Sequence, residues 1–313
     1  MTVIALPAQS WIDRLGPIDG AEFVAWDLTG EPPRREAIEI IAPPYRMHSE
    51  GLDRLCELPN LRHVQLLTAG YEHAAPFVPP GASLANAAGV HDAATAELAV
   101  TLTLAAQRSI PDLVLAQHRG EWISLGFRPG LADKRVLIVG YGRIGAAIAR
   151  RLAPFEVALT AVATRAREGD QIIPRVHGLE DLPALLSEQD IVILILPLTP
   201  TSTRLVDAGF LAAMKPGALL VNVARGKVVD TGALIEACRS GRVRAALDVT
   251  DPEPLPPGHP LFDTPGVLVV PHVGGPTDAF FPRAADLLRG QIRAYLDGTE
   301  LVNLVTDVRG QDG

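Results

Sequence analysis

Cysteine, positive charge and long apolar runs are all scarce in this chain. Its two cysteines, Cys56 and Cys238, stand in no Cys-x-x-Cys or Cys/His spacing, which argues against a disulfide framework and a zinc site, so no metal is expected. Lys and Arg number 28 against 36 Asp and Glu, a formal net charge of −8. A chain of that sign lacks the basic face that nucleic acid demands, although a local cationic pocket stays compatible with it. The longest obvious apolar run, Ile191 to Leu196, falls far short of the roughly 20 residues of a membrane span. The start, MTVIALPAQSW, has no cationic segment leading into a long apolar core, so no signal peptide is expected. These absences predict a protein of the reduced cytoplasm with neither nucleic acid nor membrane as partner.

What is present is regular. The 313 residues, 48% of them hydrophobic, suffice for two modest domains. From about residue 134, short and almost wholly apolar runs alternate with helical stretches: RVLIV (135–139), VALTAV (157–162), IVILIL (191–196), ALLVNV (218–223), AALDV (245–249) and VLVV (267–270). Runs apolar at every position suit strands buried on both faces of a parallel sheet. Ile144, Ala147, Ile148 and Leu152 recur between the first two at helical spacing. The series predicts a doubly wound α/β domain. Before it, VIAL, AIEIIA and HVQLL read as strands of a smaller α/β domain with helices between them. A helix is expected from about Asp92 to Gln107, and a last one through Leu287, Leu288, Ile292, Tyr295 and Leu296, stopped by Gly298. The expected division is residues 1–98 with 283–313 as the smaller domain, and 99–282 as the doubly wound domain inserted into it.

VLIVGYGRIG sets Gly140, Gly142 and Gly145 directly after a buried strand and at the start of a helix. The first permits a tight turn, the second lets backbone approach a pyrophosphate, and the third lets helix and strand pack closely. In that context the spacing predicts dinucleotide binding. An NAD site would then place an acidic residue at the end of the next strand, to bond the ribose hydroxyls. This chain has VATRAR (162–167) there, with Ala163 in the acid's place. Thr164 offers a hydroxyl, and Arg165 a guanidinium that forks onto phosphate oxygens. Arg167 is either a further charge or a solvated surface arginine. The expected cofactor is NADP(H) in preference to NAD(H), which remains possible.

Ligands of open parallel sheets bind beyond the carboxyl ends of the strands. ALLVNV leads to Arg225, AALDV runs through Asp248 towards Glu253, and VLVV leads to His272. Asp248 either belongs to the site or bonds nearby backbone amides. An arginine, a carboxylate and a histidine fit the reduction of a 2-oxo acid. The arginine grips carboxylate and carbonyl, the histidine gives the carbonyl oxygen its proton, and the carboxylate orients the histidine.

Together with LTAGYEHA (67–74), NAAGVHDAATAELAV (86–100), PLTPTST (197–203), KPGALLVNVARGKVVD (215–230), ALDVTDPEPL (246–255) and PHVGGPT (271–277), these motifs resemble the D-isomer-specific 2-hydroxyacid dehydrogenases over nearly the whole chain, most of all the glyoxylate/hydroxypyruvate reductase branch. The resemblance implies two Rossmann-like domains, usually in a homodimer. It implies Arg225, Glu253 and His272 as catalytic residues, with Arg225, His272 and the amides around Ala69 and Gly70 binding substrate. Thr95, Arg143, Ile144, Pro197, Thr203, Ala224, Asp248 and Gly274 fall in segments that contact the cofactor in that family. A substrate side-chain pocket is expected from Tyr45, Met47 and residues 68–71.

Departures from the family pattern carry their own expectations. The aspartate after the second strand is missing, as in NADPH-preferring relatives. Glu156 occupies a usual glycine position, so that corner is expected to be built differently. Thr250 and Phe262 replace frequent aromatic residues and can alter the pocket. The resemblance also admits a dinucleotide-sensing corepressor of the same fold, although the chain has no long extra tail or basic patch. It admits an NAD-dependent formate- or phosphite-type dehydrogenase, against which VATRAR counts.

Overall fold

The computed structural model describes residues 1–45 and 49–305 and divides the chain into two compact units, Met1–His91 with Thr277–Gly313, and Asp92–Pro276. In the first, β1 (Thr2–Leu6), α1 (Gln9–Leu15), β2 (Ala21–Ala25), β3 (Ile38–Ile41), β4 (His63–Gln65) and β5 (Ser83–Ala85) build a wholly parallel sheet in the order β2-β1-β3-β4-β5. Successive β1 residues face opposite sides. Ile4 and Leu6 pack against Trp11 and Leu15 of α1, while Val3 and Ala5 pack with Leu52, Leu55 and Leu84. The helices expected between the later strands are 3-10 turns, of which Leu52–Glu57 is the longest. Prolines interrupt each of these connections, at Pro32 and Pro33, at Pro43, Pro44 and Pro59, and at Pro76, Pro79 and Pro80, and proline breaks a helix interior.

The second unit contains α2 (Asp92–Gln107), α3 (Ile110–His118), β6 (Arg135–Val139), α4 (Arg143–Leu152), β7 (Ala158–Val162), β8 (Arg167–Glu168), β9 (Arg175–His177), α5 (Leu182–Leu186), β10 (Ile191–Leu194), α6 (Ala208–Ala213), β11 (Ala218–Asn222), α7 (Thr231–Arg239), β12 (Val243–Leu247) and β13 (Val267–Val269). Its eight strands run β13-β12-β11-β10-β6-β7-β9-β8, all pairs parallel except β8 with β9. Alternation along β6 separates two cores. Leu137 and Val139 face α5, α6 and α7, whereas Val136 and Ile138 face α2 and α4. This is the doubly wound arrangement that the apolar runs predict. The chain closes with α8 (Phe280–Leu296), whose Phe280, Ala284, Leu288 and Ile292 fill the core of the first unit.

The unit boundaries differ from those expected at 98/99 and 282/283, which lie inside α2 and α8. The division falls at the first residue of α2 and just before α8. Each helix is one hydrogen-bonded rod that buries its apolar face in a single core, so a unit takes it whole.

The corner at Glu156 also corrects its expectation. Glu156 takes up the left-handed conformation itself, with φ 59° and ψ 36°, at the end of the turn Ala153–Phe155. Its carbonyl accepts from the Asp133 amide at 3.0 Å. The turn normally built on glycine is kept, with an exposed side chain bearing the strain. A left-handed L-residue costs about 1–2 kcal/mol, while added glycine costs about 0.5–1 kcal/mol through the unfolded chain. Glu156→Gly should therefore raise the unfolding free energy by about 0.5–1 kcal/mol, read by urea denaturation. A loss of stability would refute this account of the corner.

Candidate active site

The glycine turn lies where the strand order reverses, between β6 and β10, the place at which doubly wound sheets bind dinucleotides. Gly140 has φ 108°, and a Cβ there would fall 2.1 Å from the Ile195 carbonyl oxygen. At Gly145 a Cβ would meet the Gly140 carbonyl at 2.1 Å, so helix and turn touch backbone to backbone. Gly142, which precedes α4, is the opposite case, with nothing within 4 Å of such a Cβ. That open space, beside the unsatisfied amides of a ten-residue helix, fits the pyrophosphate of a dinucleotide. Arg143 begins α4 and pairs with Asp92 at 2.9 Å.

Val162 of β7 is level with Val139 of β6, so VATRAR leaves the sheet beside the glycine turn. Thr164 and Arg165 are exposed there. Arg167 has a different task. Its guanidinium donates to the Tyr141 carbonyl at 2.5 Å, and the Tyr141 hydroxyl donates to Asp170 at 2.8 Å. The β8–β9 hairpin is thus latched to the glycine loop, which sequence reasoning missed. Burial and the Asp170 carboxylate together push the Tyr141 hydroxyl pKa upward.

Three further groups leave the carboxyl ends of adjacent strands β11, β12 and β13. Glu253 and His272 meet directly, Oε1 to Nδ1 at 2.5 Å. That contact leaves Nε2 as the histidine nitrogen available to a ligand. His272 holds φ 52°, a conformation that costs on the order of 1–3 kcal/mol for a non-glycine residue and persists only when its surroundings impose it. Asp248 imposes it. Its carbonyl accepts from the His272 amide at 2.8 Å, and its carboxylate from Val273 at 2.6 Å and Gly274 at 3.1 Å. Burial pushes the Asp248 carboxyl pKa up, against the pull of the Val273 amide. Thr95 donates to the Gly274 carbonyl at 3.2 Å. Asp248, Thr95 and Gly274, all expected at the cofactor, therefore bond to each other's segments and brace the histidine loop. Of the two readings of Asp248, the amide-bonding one is observed.

Arg225 begins the 3-10 turn Gly226–Val228. Gly226 lies flush on the Glu253 loop, since a Cβ on it would sit 1.8 Å from the Thr250 carbonyl oxygen. Asn222 holds the turn from below. It accepts from the Ala224 amide at 3.0 Å and donates to the Arg225 carbonyl at 3.1 Å. Its one legible signal was a polar residue at the end of the otherwise apolar run ALLVNV. Among the remaining expected cofactor contacts, Pro197 and Thr203 are exposed, Ile144 is half-buried and Ala224 is buried.

Ala69 and Gly70 follow β4 in the first unit and are half-buried. Tyr45 packs on the rings of Phe280 and His91 at 4.9 and 5.6 Å, and Met47 lies outside the described residues. Among the described residues no cluster of three or more His, Cys, Asp or Glu could hold a metal ion, and no single helix is long and apolar enough to cross a membrane.

A doubly wound domain with a glycine turn and a paired histidine and glutamate defines a nicotinamide-dependent dehydrogenase. The model of the D-isomer specific 2-hydroxyacid dehydrogenase NAD binding domain matches residues 100–274, and the chain belongs to that family. It is similar to a glyoxylate reductase/hydroxypyruvate reductase of Mus musculus, 37% identical over 227 residues, covering 70% of this chain and 69% of that protein. It is also similar to a glyoxylate reductase of Thermococcus litoralis, 32% identical over 301 residues, covering 91% and 90%. Among solved structures, a D-isomer specific 2-hydroxyacid dehydrogenase from Xanthobacter autotrophicus in complex with NADPH matches with TM-score 0.81 at 30% identity, covering 98% of each chain. An NADPH-dependent glyoxylate/hydroxypyruvate reductase from Sinorhizobium meliloti matches with TM-score 0.82 at 26% identity, covering 99% of each. The protein is an oxidoreductase of the CH–OH group that uses a nicotinamide dinucleotide and a small hydroxy or oxo acid.

Proposed function

We propose that this chain reduces short 2-oxo acids such as glyoxylate or hydroxypyruvate, and prefers NADPH to NADH. The observation that carries the reading is the 2.5 Å pair of His272 and Glu253, in a loop that abuts the turn of Arg225. When bound, the dinucleotide supplies a hydride to the substrate's C2. Gly140, Gly142, Arg143, Ile144 and Gly145 would hold its pyrophosphate, Thr164 and Arg165 its ribose phosphate, and Pro197, Thr203 and Ala224 would line its cleft. Arg225 binds the substrate's carboxylate and carbonyl oxygen, and the amides near Ala69 and Gly70 bind the carboxylate. His272 Nε2 delivers the proton to the carbonyl oxygen and is left neutral. Glu253 keeps Nδ1 oriented and supports the charged form of the ring between turnovers. The 2-hydroxy acid leaves with one hydride and one proton added. NADPH bound to one solved relative and the NADPH dependence of another, alongside the missing acid at Ala163, support the cofactor preference.

The test is a panel of glyoxylate, hydroxypyruvate, pyruvate and larger 2-oxo acids assayed with both cofactors. The expected result is turnover of one of the first two, with higher kcat/KM for NADPH. Failure to turn over any 2-oxo acid, or the corresponding hydroxy acids in reverse, overturns the reading. The unpaired cysteines, Cys56 and Cys238, keep the reduced cytoplasm as the proposed compartment.

We also propose a homodimer. Val114 and Leu115 on α3 are 55% and 57% exposed, and Trp122 and Phe127 beyond it are 101% and 108% exposed. So much exposed apolar side chain near one helix marks an association surface, and the family habit supplies the partner as a second copy. Sedimentation should find a dimer for the native chain and a monomer for Trp122→Glu/Phe127→Glu. A monomeric native chain would sink the assignment.

A further inference from the structure

We infer that Asn86 and His91 are positioning residues for the carboxylate-binding amides, acting through the carbonyls of residues 67–70. The inference rests on the reading that Ala69 and Gly70 present those amides. Each carbonyl of the segment is held within its own unit. The Leu67 carbonyl accepts from His91 Nε2 at 2.9 Å, and the Thr68 carbonyl from the Ala87 amide at 2.8 Å. The Ala69 carbonyl accepts from Asn86 Nδ2 at 2.9 Å, and the Gly70 carbonyl from the Thr68 hydroxyl at 2.7 Å. In a trans peptide the carbonyl of one residue and the amide of the next point in opposite directions. Pinning the Thr68 carbonyl to Ala87 therefore turns the Ala69 amide away from Ala87. Pinning the Ala69 carbonyl to Asn86 likewise turns the Gly70 amide away from Asn86. Among the described residues neither amide has an acceptor. Two adjacent donors, with all the carbonyls of their segment turned elsewhere, stay available to the oxygens of an anion.

The clamp is itself held. Asn86 Oδ1 accepts from the Ala88 amide at 3.0 Å, which fixes which end of the side chain donates to Ala69. The Asn86 amide donates to the Asn303 carbonyl at 3.1 Å, and Asn303 Nδ2 to the Ala88 carbonyl at 3.0 Å. The residues after α8 thereby lock the clamp from behind. His91 is 5% exposed and stacks on Phe280 with ring centroids 5.4 Å apart and 13° between planes. Neither residue touches the carboxylate in this account. They act by fixing the direction of two backbone donors in advance of binding.

Asn86→Asp keeps the acceptor for Ala88 and sets a carboxylate oxygen against the Ala69 carbonyl. His91→Phe keeps the ring stack and removes the donor to Leu67. For Asn86→Asp, KM for glyoxylate and Ki for oxalate should both rise about tenfold, the scale of one lost charge-assisted hydrogen bond. His91→Phe, two peptides upstream, should raise both in the same sense by a smaller factor. In each, kcat should change less than threefold and KM for NADPH should stay fixed, a split that partial unfolding does not produce. If the native enzyme reduces glyoxylate but both variants keep its KM and Ki, the clamp is refuted and the functional reading stands. If the native enzyme reduces no 2-oxo acid, the functional reading falls first. Should one variant fail to fold, the other decides by the same two constants.

Discussion

His272→Ala should lower the rate of 2-oxo acid reduction by about 10²- to 10⁴-fold, the range for loss of a positioned general acid. The ring's Nδ1 is occupied by Glu253, so Nε2 must carry the proton that moves. The Asp248 carbonyl and carboxylate hold the loop and keep His272 in its left-handed conformation. Alanine at 272 leaves those main-chain bonds in place, so the loss is one of chemistry and leaves stability nearly unchanged. Direction of reaction supplies an internal control. Reduction consumes a proton held by the imidazolium, so its rate falls as pH rises, whereas oxidation needs the neutral ring, so its rate rises with pH. Both limbs should vanish in His272→Ala. Two limbs of the same sense, or a variant within tenfold of the native rate, would remove His272 from the role.

Arg165→Asp should cut the ratio of kcat/KM for NADPH to that for NADH by about 10²-fold. One or two charge-assisted hydrogen bonds to a 2′-phosphate, at about 1.5–3 kcal/mol each, set that scale. The aspartate adds repulsion of the phosphate and an acceptor for ribose hydroxyls, so the activity with NADH should hold or rise. The neighbouring arginine supplies the contrast. Arg167 donates to the Tyr141 carbonyl, so Arg167→Ala should loosen the glycine loop and weaken both cofactors alike. A ratio unmoved by Arg165→Asp would retire the NADPH preference. A ratio moved more by Arg167→Ala would shift the role to that residue.

Six strands of the second unit were legible as apolar runs, with bounds that shift at the ends: IVILIL (191–196) is β10 (Ile191–Leu194), and AALDV (245–249) is β12 (Val243–Leu247). RVLIV is β6 without adjustment, and α2 spans Asp92–Gln107 as read. The strands that escaped reading are short or half-exposed. β2 is apolar at most positions but half-exposed, and the β8–β9 hairpin has two residues on one side. Such segments bury too little to leave a period in the sequence. The catalytic types were legible because polar residues at the ends of apolar strands stand out. The carboxylate expected behind the histidine is Glu253, whereas the bond from Thr95 to the Gly274 carbonyl left no signal in the sequence.

By itself the amino-acid order determined which strands are buried, where the backbone must turn on glycine beside a phosphate, and which acids and bases stand at the sheet's carboxyl edge. Those properties follow from local pattern and spacing. Only the tertiary structure decided that Asp248 and Thr95 brace the His272 loop, that Arg167 serves Tyr141, and that Glu156 bears a left-handed turn. Each depends on hydrogen bonds and backbone angles set by segments distant in sequence or by packing at a corner, and neither periodicity nor composition encodes them.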